Sequence, residues 1–192
     1  MAGAMRRRAL LPALAAILVP LGAAYADGSL AEIEQIGARN DGLIRQSGRS
    51  NEAAILQEGR ANRADLVQAG DGNRASLRQD GNGSEASLLQ RGDGNRADLL
   101  SDGGNLSVEA VLIGSDNLLD LEQRGTGLSA DIRVDGTANQ LDLAQSGRAN
   151  AMTLDIQGDG SAWQVGQHGS GLGLTVTHRG PGLPLTIQQT AP

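Results

Sequence analysis

"QSGRSNEAAILQEGRANRADLVQAG", residues 46–70, writes one phrase twice. Gln46, Gly48, Asn51 and Ala53 return eleven residues later as Gln57, Gly59, Asn62 and Ala64, and Gln68 and Gly70 open the phrase again. Followed outward, the count never slips. Gly37, Gly48, Gly59, Gly70, Gly81, Gly92, Gly103, Gly114, Gly125, Gly136, Gly147, Gly158, Gly169 and Gly180 all stand in register. Gly-rich polar chains are often disordered, but a linker tolerates insertions and deletions. A chain that keeps count in this way is one whose units must each match a neighbour.

The other positions of the unit alternate. Seven residues after the glycines stand Ile44, Ile55, Leu66, Leu77, Leu88, Leu99, Leu121, Ile132, Leu143, Leu154, Val165, Val176 and Ile187, with Ala110 in the same slot. Two residues earlier come Ala53, Ala64, Ala75, Ala86 and Ala97, then larger residues such as Val108, Leu119 and Trp163. Two earlier again Asn recurs, and Gln stands two before most of the glycines. Spacing by two places these side chains on one face of a strand and sends Glu52, Asp65, Arg74 and Asp98 to the other. An eleven-residue period also suits a right-handed helical coil, but a glycine and an Asn at fixed places would weaken every turn of it.

Each unit therefore reads as a strand of about six residues and a tight bend, where glycine supplies positive φ. Two units close a turn of 22 residues, so the expected fold is all-β: a β-solenoid of about fifteen strands and seven and a half turns. Two buried aliphatics per turn, worth ~1.5–3 kcal/mol each, do not order 22 residues at ~1–2 kcal/mol each. Stability must come from stacking turn on turn, with like side chains in rows. Asn51, Asn73, Asn95, Asn117 and Asn139 are expected to form one amide ladder, and Gln46, Gln68 and Gln90 another on the opposite side of the coil. An amide donates to one neighbour and accepts from the other, which keeps a buried polar row satisfied.

Residues 1–26 read as a cleavable export signal: Arg6, Arg7 and Arg8, an apolar stretch to about Ala24, and the small-x-small close at Ala26. The apolar stretch holds Pro12 and Pro20 and is shorter than the ~20 residues of a spanning helix. Residues 27–30 then form a short N-terminal segment and 31–191 the repeat domain. After cleavage thirteen arginines face twenty-two acids, a formal charge of about −9. The chain has no lysine, its arginines are dispersed, and no basic groove for nucleic acid is expected. The absence of cysteine excludes disulfides and thiolate metal sites. One Trp, one Tyr within the signal and no Phe argue against a conventional globular core.

The repeat resembles that of the curlins. "QSGRSNEAAILQ", "QEGRANRADLVQ" and "QAGDGNRASLRQ" fit Gln-x-Gly-x-x-Asn-x-Ala-x-x-x-Gln, most clearly from Gln35 to Gln90. The resemblance implies a secreted structural subunit of curli-type functional amyloid at the cell surface, serving adhesion and biofilm matrix. It further implies self-association into a fibre, a nucleator or companion subunit, and a dedicated outer-membrane export channel. Relatives of this kind place a polar targeting segment before the repeats where this chain has only residues 27–30. The Gln position also decays through Ser101, Leu112, Val134, Ile156 and His178.

Independently of the resemblance, uncapped ends of a solenoid invite another copy. A monomeric extracellular solenoid that binds a surface is the alternative. Asp98, Asp120 and Asp142 lie 22 residues apart, point outward, and have no arginine in their own row. Stacked like charges oppose assembly, so these three are a candidate brake on polymerisation. The corners "GDGN" and "GDGS" are poor calcium loops, since β-rolls that bind calcium repeat every nine residues. No cofactor, metal or catalytic set is expected: His168 and His178, the only histidines, have no nucleophile or ligand cluster beside them.

Overall fold

The computed structural model describes residues 28–191, and the proposed signal lies outside them. Every regular element is a strand. The odd-numbered strands are β1 (Leu30–Ala38), β3 (Glu52–Arg60), β5 (Arg74–Asn82), β7 (Arg96–Gly104), β9 (Leu118–Thr126), β11 (Gln140–Arg148), β13 (Ala162–Ser170) and β15 (Leu185–Thr190). They alternate with β2 (Asp41–Ser47), β4 (Arg63–Ala69), β6 (Glu85–Arg91), β8 (Ser107–Ile113), β10 (Ser129–Asp135), β12 (Ala151–Gln157) and β14 (Gly173–Arg179). Odd strands form one parallel sheet in sequence order and even strands the facing one. This is the expected β-solenoid.

The register is 22 residues at every rung. Ile55 pairs with Leu77, Leu77 with Leu99 and Leu99 with Leu121 on one sheet, and Leu66 with Leu88 on the other. Inward faces of the two sheets meet in a single narrow core, where Ile55, Leu66, Leu77, Leu88, Leu121, Ile132, Leu143 and Leu154 are all buried. The core is thin because the slot two residues earlier holds Ala in the first turns. From Val108 onward larger side chains, Trp163 among them, fill that slot at every strand but β10, where Ala130 stands.

Strand length departs from expectation. Interior strands are nine and seven residues long in alternation, not about six. The nine-residue strands run through their glycine: Gly59 pairs with Gly81 inside the ladder, so backbone pairing continues into the bend.

Both bends are built alike. A glycine at positive φ is followed two residues later by a left-handed residue, as at Gly59 (φ 109) and Ala61 (φ 57), or Gly70 (φ 120) and Gly72 (φ 67). The bond from Ala61 N to Ala38 O at one edge, 2.9 Å, is repeated eleven residues on by Gly72 N to Arg49 O, 2.8 Å. The two bends of each turn thus share one backbone design, although the strands they join differ in length.

Candidate assembly surfaces

The spacing Gly-x-x-Asn has a geometric cause. A Cβ placed on Gly92 would lie 2.0 Å from the carbonyl oxygen of Gly114, one turn on. That oxygen accepts from Asn95 Nδ2 at 2.8 Å. Glycine lets the next turn's carbonyl descend onto the bend, and the Asn three residues later holds it there. The same bond joins Asn51 to Gly70, Asn73 to Gly92, Asn117 to Gly136 and Asn139 to Gly158, at 2.7–2.8 Å.

The asparagines also bond to one another. Asn73, Asn95, Asn117 and Asn139 each donate Nδ2 to the Oδ1 of the Asn one turn earlier, at 3.2, 3.1, 3.0 and 3.0 Å. Their backbone N–H groups donate to the same oxygens. Glutamines run the opposite way: Gln46 Nε2 donates forward to Gln68 Oε1 and Gln68 to Gln90, both at 2.8 Å. Each Nε2 also reaches across the coil, as Gln68 does to Glu52 O at 3.0 Å.

That cross-coil bond corrects the expected placement. The two rows stand on facing sheets but at one edge of the coil, not on opposite sides, because Glu52 directly follows Asn51. The opposite edge carries its own pair of rows. There Gln35, Gln57 and Gln79 are joined at 2.7 and 2.8 Å, and Gln123, Gln145, Gln167 and Gln189 at 2.7–2.8 Å.

The decay of the Gln motif follows a rule visible only in three dimensions. At the first edge the Asn row continues to Asn139 while the Gln row becomes Leu112, Val134 and Ile156, all fully buried and stacked on one another. At the second edge the Gln row resumes at Gln123 while the Asn row becomes Leu106 and Leu128, also buried. Over these turns each edge keeps one amide row and sets aliphatics in the other, until Asn150 returns to the second edge's Asn position. Ser101 marks the one break in the second Gln row, and the Oε1 of Gln123 above it is buried with no partner.

The corner aspartates have a structural role that sequence reasoning missed. Asp71 Oδ1 accepts the backbone N–H of Arg49, Asp93 Oδ1 that of Asp71, and Asp159 Oδ1 that of Thr137, at 2.7–2.8 Å. Their recurrence at the same corner, Asp93 one turn after Asp71 and Asp159 three turns after that, was the available signal.

Asp98, Asp120 and Asp142 stack at consecutive rungs of the odd sheet, facing outward. No arginine occupies their row, but Arg96, two residues along the same strand, donates to Asp98 Oδ2 at 2.7 Å and so offsets one of the three charges. Asp120 keeps the unfavourable central place. Partial burial, then Asp142 and Asp98, push its carboxyl above the ordinary value of 3.8 against the pull of Arg96.

The two ends differ from everything between them. Among the described residues, the exposed large hydrophobic side chains are Leu30, Ile36, Leu43, Leu183 and Leu185, which lie on β1, β2, β15 and the bend before it. Ala31, Ile33, Leu174, Val176 and Ile187, inward-facing on the terminal strands, are only partly buried. Every other strand is paired on both sides, whereas β1, β2, β14 and β15 each present one free edge.

The model of the curlin associated repeat matches residues 26–59, 37–70, 48–81 and 59–88, successive matches starting eleven residues apart. No curated protein matches the chain. The repeat matches stop two residues before Gln90, after which the first edge exchanges its Gln row for aliphatics, while the coil itself runs on to β15. Those four overlapping matches, on a chain coiled at 22 residues per turn, support a curlin-family protein.

Proposed function

We propose that this chain is the structural subunit of a secreted, curli-like amyloid fibre that grows by adding copies end to end through β-strand pairing. The observation that carries the reading is the concentration of exposed and half-covered apolar side chains at the two terminal rungs, beside unpaired strand edges. Natural sheet proteins blunt such edges with charge, bulges or a covering helix. Here β1, β2 and β15 keep the inward Ile and Gln of the interior, and β14 carries Val176 and His178 in those places, so each end is a template for another rung. The amide rows supply the register, because a second copy displaced by one residue would set inward side chains against outward ones, and one displaced by two would set amides against aliphatics.

In this reading residues 1–26 are the removed signal, 31–191 the assembling domain, and the fibre lies outside the cell, where it supports adhesion and matrix. A nucleating companion and an export channel belong to the same proposal. The chain is structural, not catalytic: its buried amides are bonded to those of neighbouring turns.

The test is seeded growth. The chain lacking residues 1–26, diluted from denaturant, should give thioflavin-positive fibres after a lag that preformed fibres abolish. A product that stays monomeric and ignores seeds would instead fit the single-coil surface binder.

A further inference from the structure

Among the described residues the number of strands is odd, and this dictates how one copy must meet the next. The last two rungs are β14 in the even sheet and β15 in the odd sheet, while the first two are β1 in the odd sheet and β2 in the even sheet. If a second copy were added by translation alone, its β1 would land on β15. The edge of β14 and the facing edge of the second β2 would then be left one strand apart with nothing between them. Unpaired backbone at an otherwise dry junction is costly.

We infer that consecutive copies in the fibre are related by a half-turn about the fibre axis, so that β1 of one copy pairs with β14 of the copy before it, and β2 with β15. This rests on the fibre reading above and specifies its interface. The rotation is available because the two halves of each turn are built alike, with the same bends and the same eleven-residue unit on both sheets. After it, every edge at the junction is paired and the coil continues without a step.

The side chains fit that register. Ile33 is set over Val176 and Ile44 over Ile187, aliphatic on aliphatic, and Gly37 over Gly180, whose Cβ direction is empty in one copy. Among the described residues Gln46 Oε1 has no partner, although its Nε2 makes two bonds. It would receive Gln189 Nε2 as each interior Gln receives the one before it. Outward, Glu32 and Glu34 would sit over Thr175 and Thr177, so no like charges meet.

A consequence reaches beyond the joint. The Asp98–Asp120–Asp142 stripe would alternate between the two faces of the fibre from copy to copy, so the stripes of neighbouring copies never align.

The chain has no cysteine, which makes disulfide trapping clean. Neighbouring parallel strands lie ~4.8 Å apart, within the Cα range of a disulfide. Residues on β1 and β14 sit at opposite ends of one copy, so any bond between them joins two copies. Fibres grown reduced from Thr175→Cys/Glu32→Cys and then oxidised should run as a ladder of covalent multimers on a denaturing gel. Thr186→Cys/Glu32→Cys, the contact of unrotated copies, should stay monomeric. Gln188→Cys/Arg45→Cys against Gln188→Cys/Glu34→Cys repeats the comparison at the other strand and covers a variant that fails to assemble.

A ladder only from the unrotated pairs, or from neither set in well-formed fibres, overturns the half-turn while leaving the fibre standing. Failure of the unsubstituted chain to form fibres at all overturns the fibre reading and this inference with it.

Discussion

Asn95 Nδ2 donates at 2.8 Å to the carbonyl of Gly114, the same oxygen that would collide with a Cβ on Gly92. One contact explains two fixed letters of the repeat. It also explains why the count never slips: an inserted residue would break this contact at its own bend and misalign every rung beyond it.

Glycine is required at one bend position and dispensable at another. Gly92→Ala drives a Cβ into the Gly114 carbonyl and should prevent the two turns from stacking, with loss of folded coil by circular dichroism and no fibre growth. Gly72→Ala should cost only about 1 kcal/mol. Its Cβ meets nothing within 4 Å, and Ala61, Ala138 and Ala149 already hold that slot at similar φ. Denaturation midpoints of the two variants, compared with the parent, check the contrast.

Asn95→Ala takes away the side-chain partner of the Gly114 carbonyl and of both the backbone N–H and one Nδ2 hydrogen of Asn117, in a buried row. An unsatisfied buried group costs ~1–3 kcal/mol. Urea denaturation should therefore place this variant below the parent by that order, and below Asn40→Ala, whose Nδ2 bonds of 3.2 and 3.3 Å, and the 3.1 Å bond its Oδ1 accepts from Asn62 N–H, lie at the open first turn. Equal losses at the two positions would contradict the role given to the buried row.

The break in the second Gln row makes a stabilising prediction. Ser101→Gln should supply the donor that Gln123 Oε1 lacks and an acceptor for Gln79 Nε2, which now bonds only Arg63 O. The expected gain is about 1 kcal/mol in urea denaturation. A loss of stability would mean that neighbouring side chains have closed the space an extended Gln requires.

Acid should favour the coil through Asp120. Its carboxyl is pushed up by burial and by Asp142 and Asp98, so the folded state holds its proton more tightly than the unfolded chain does. The stability it permits is fullest below the unfolded value and is lost as pH rises through the folded one. Fibre growth should be faster near about pH 4 than at about pH 7. Asp98→Asn/Asp120→Asn/Asp142→Asn should lose most of that dependence, measured as seeded growth rate at both pH values.

Much of this architecture was legible in the letters, for a physical reason. A parallel coil sets residue i over residue i + 22, so twice the repeat period is also the register, and the glycines in that count mark the bend position where a Cβ would meet the next turn's carbonyl. Gln90, Leu112 and Val134 show where legibility ended. Read linearly they are a failing motif. In the coil the aliphatics stack into a buried row at an edge where Asn95, Asn117 and Asn139 still carry the polar bonds. The shared edge of the Asn and Gln rows was likewise hidden, because which edge a side chain reaches depends on where each strand starts. Arg96 was overlooked beside Asp98 because the row was read across turns and not along the strand.

Register is the central claim, and paired deletions test it most directly. Removing the single residue Ser107 should set β8 and everything after it out of step and abolish seeded growth in the thioflavin assay. Removing residues 85–106, one complete turn, should leave growth intact, since Ser107 then takes the place of Glu85 with every row preserved. If the chain short of one residue grows as readily as the chain short of twenty-two, the turns do not stack in the register described and the account is wrong.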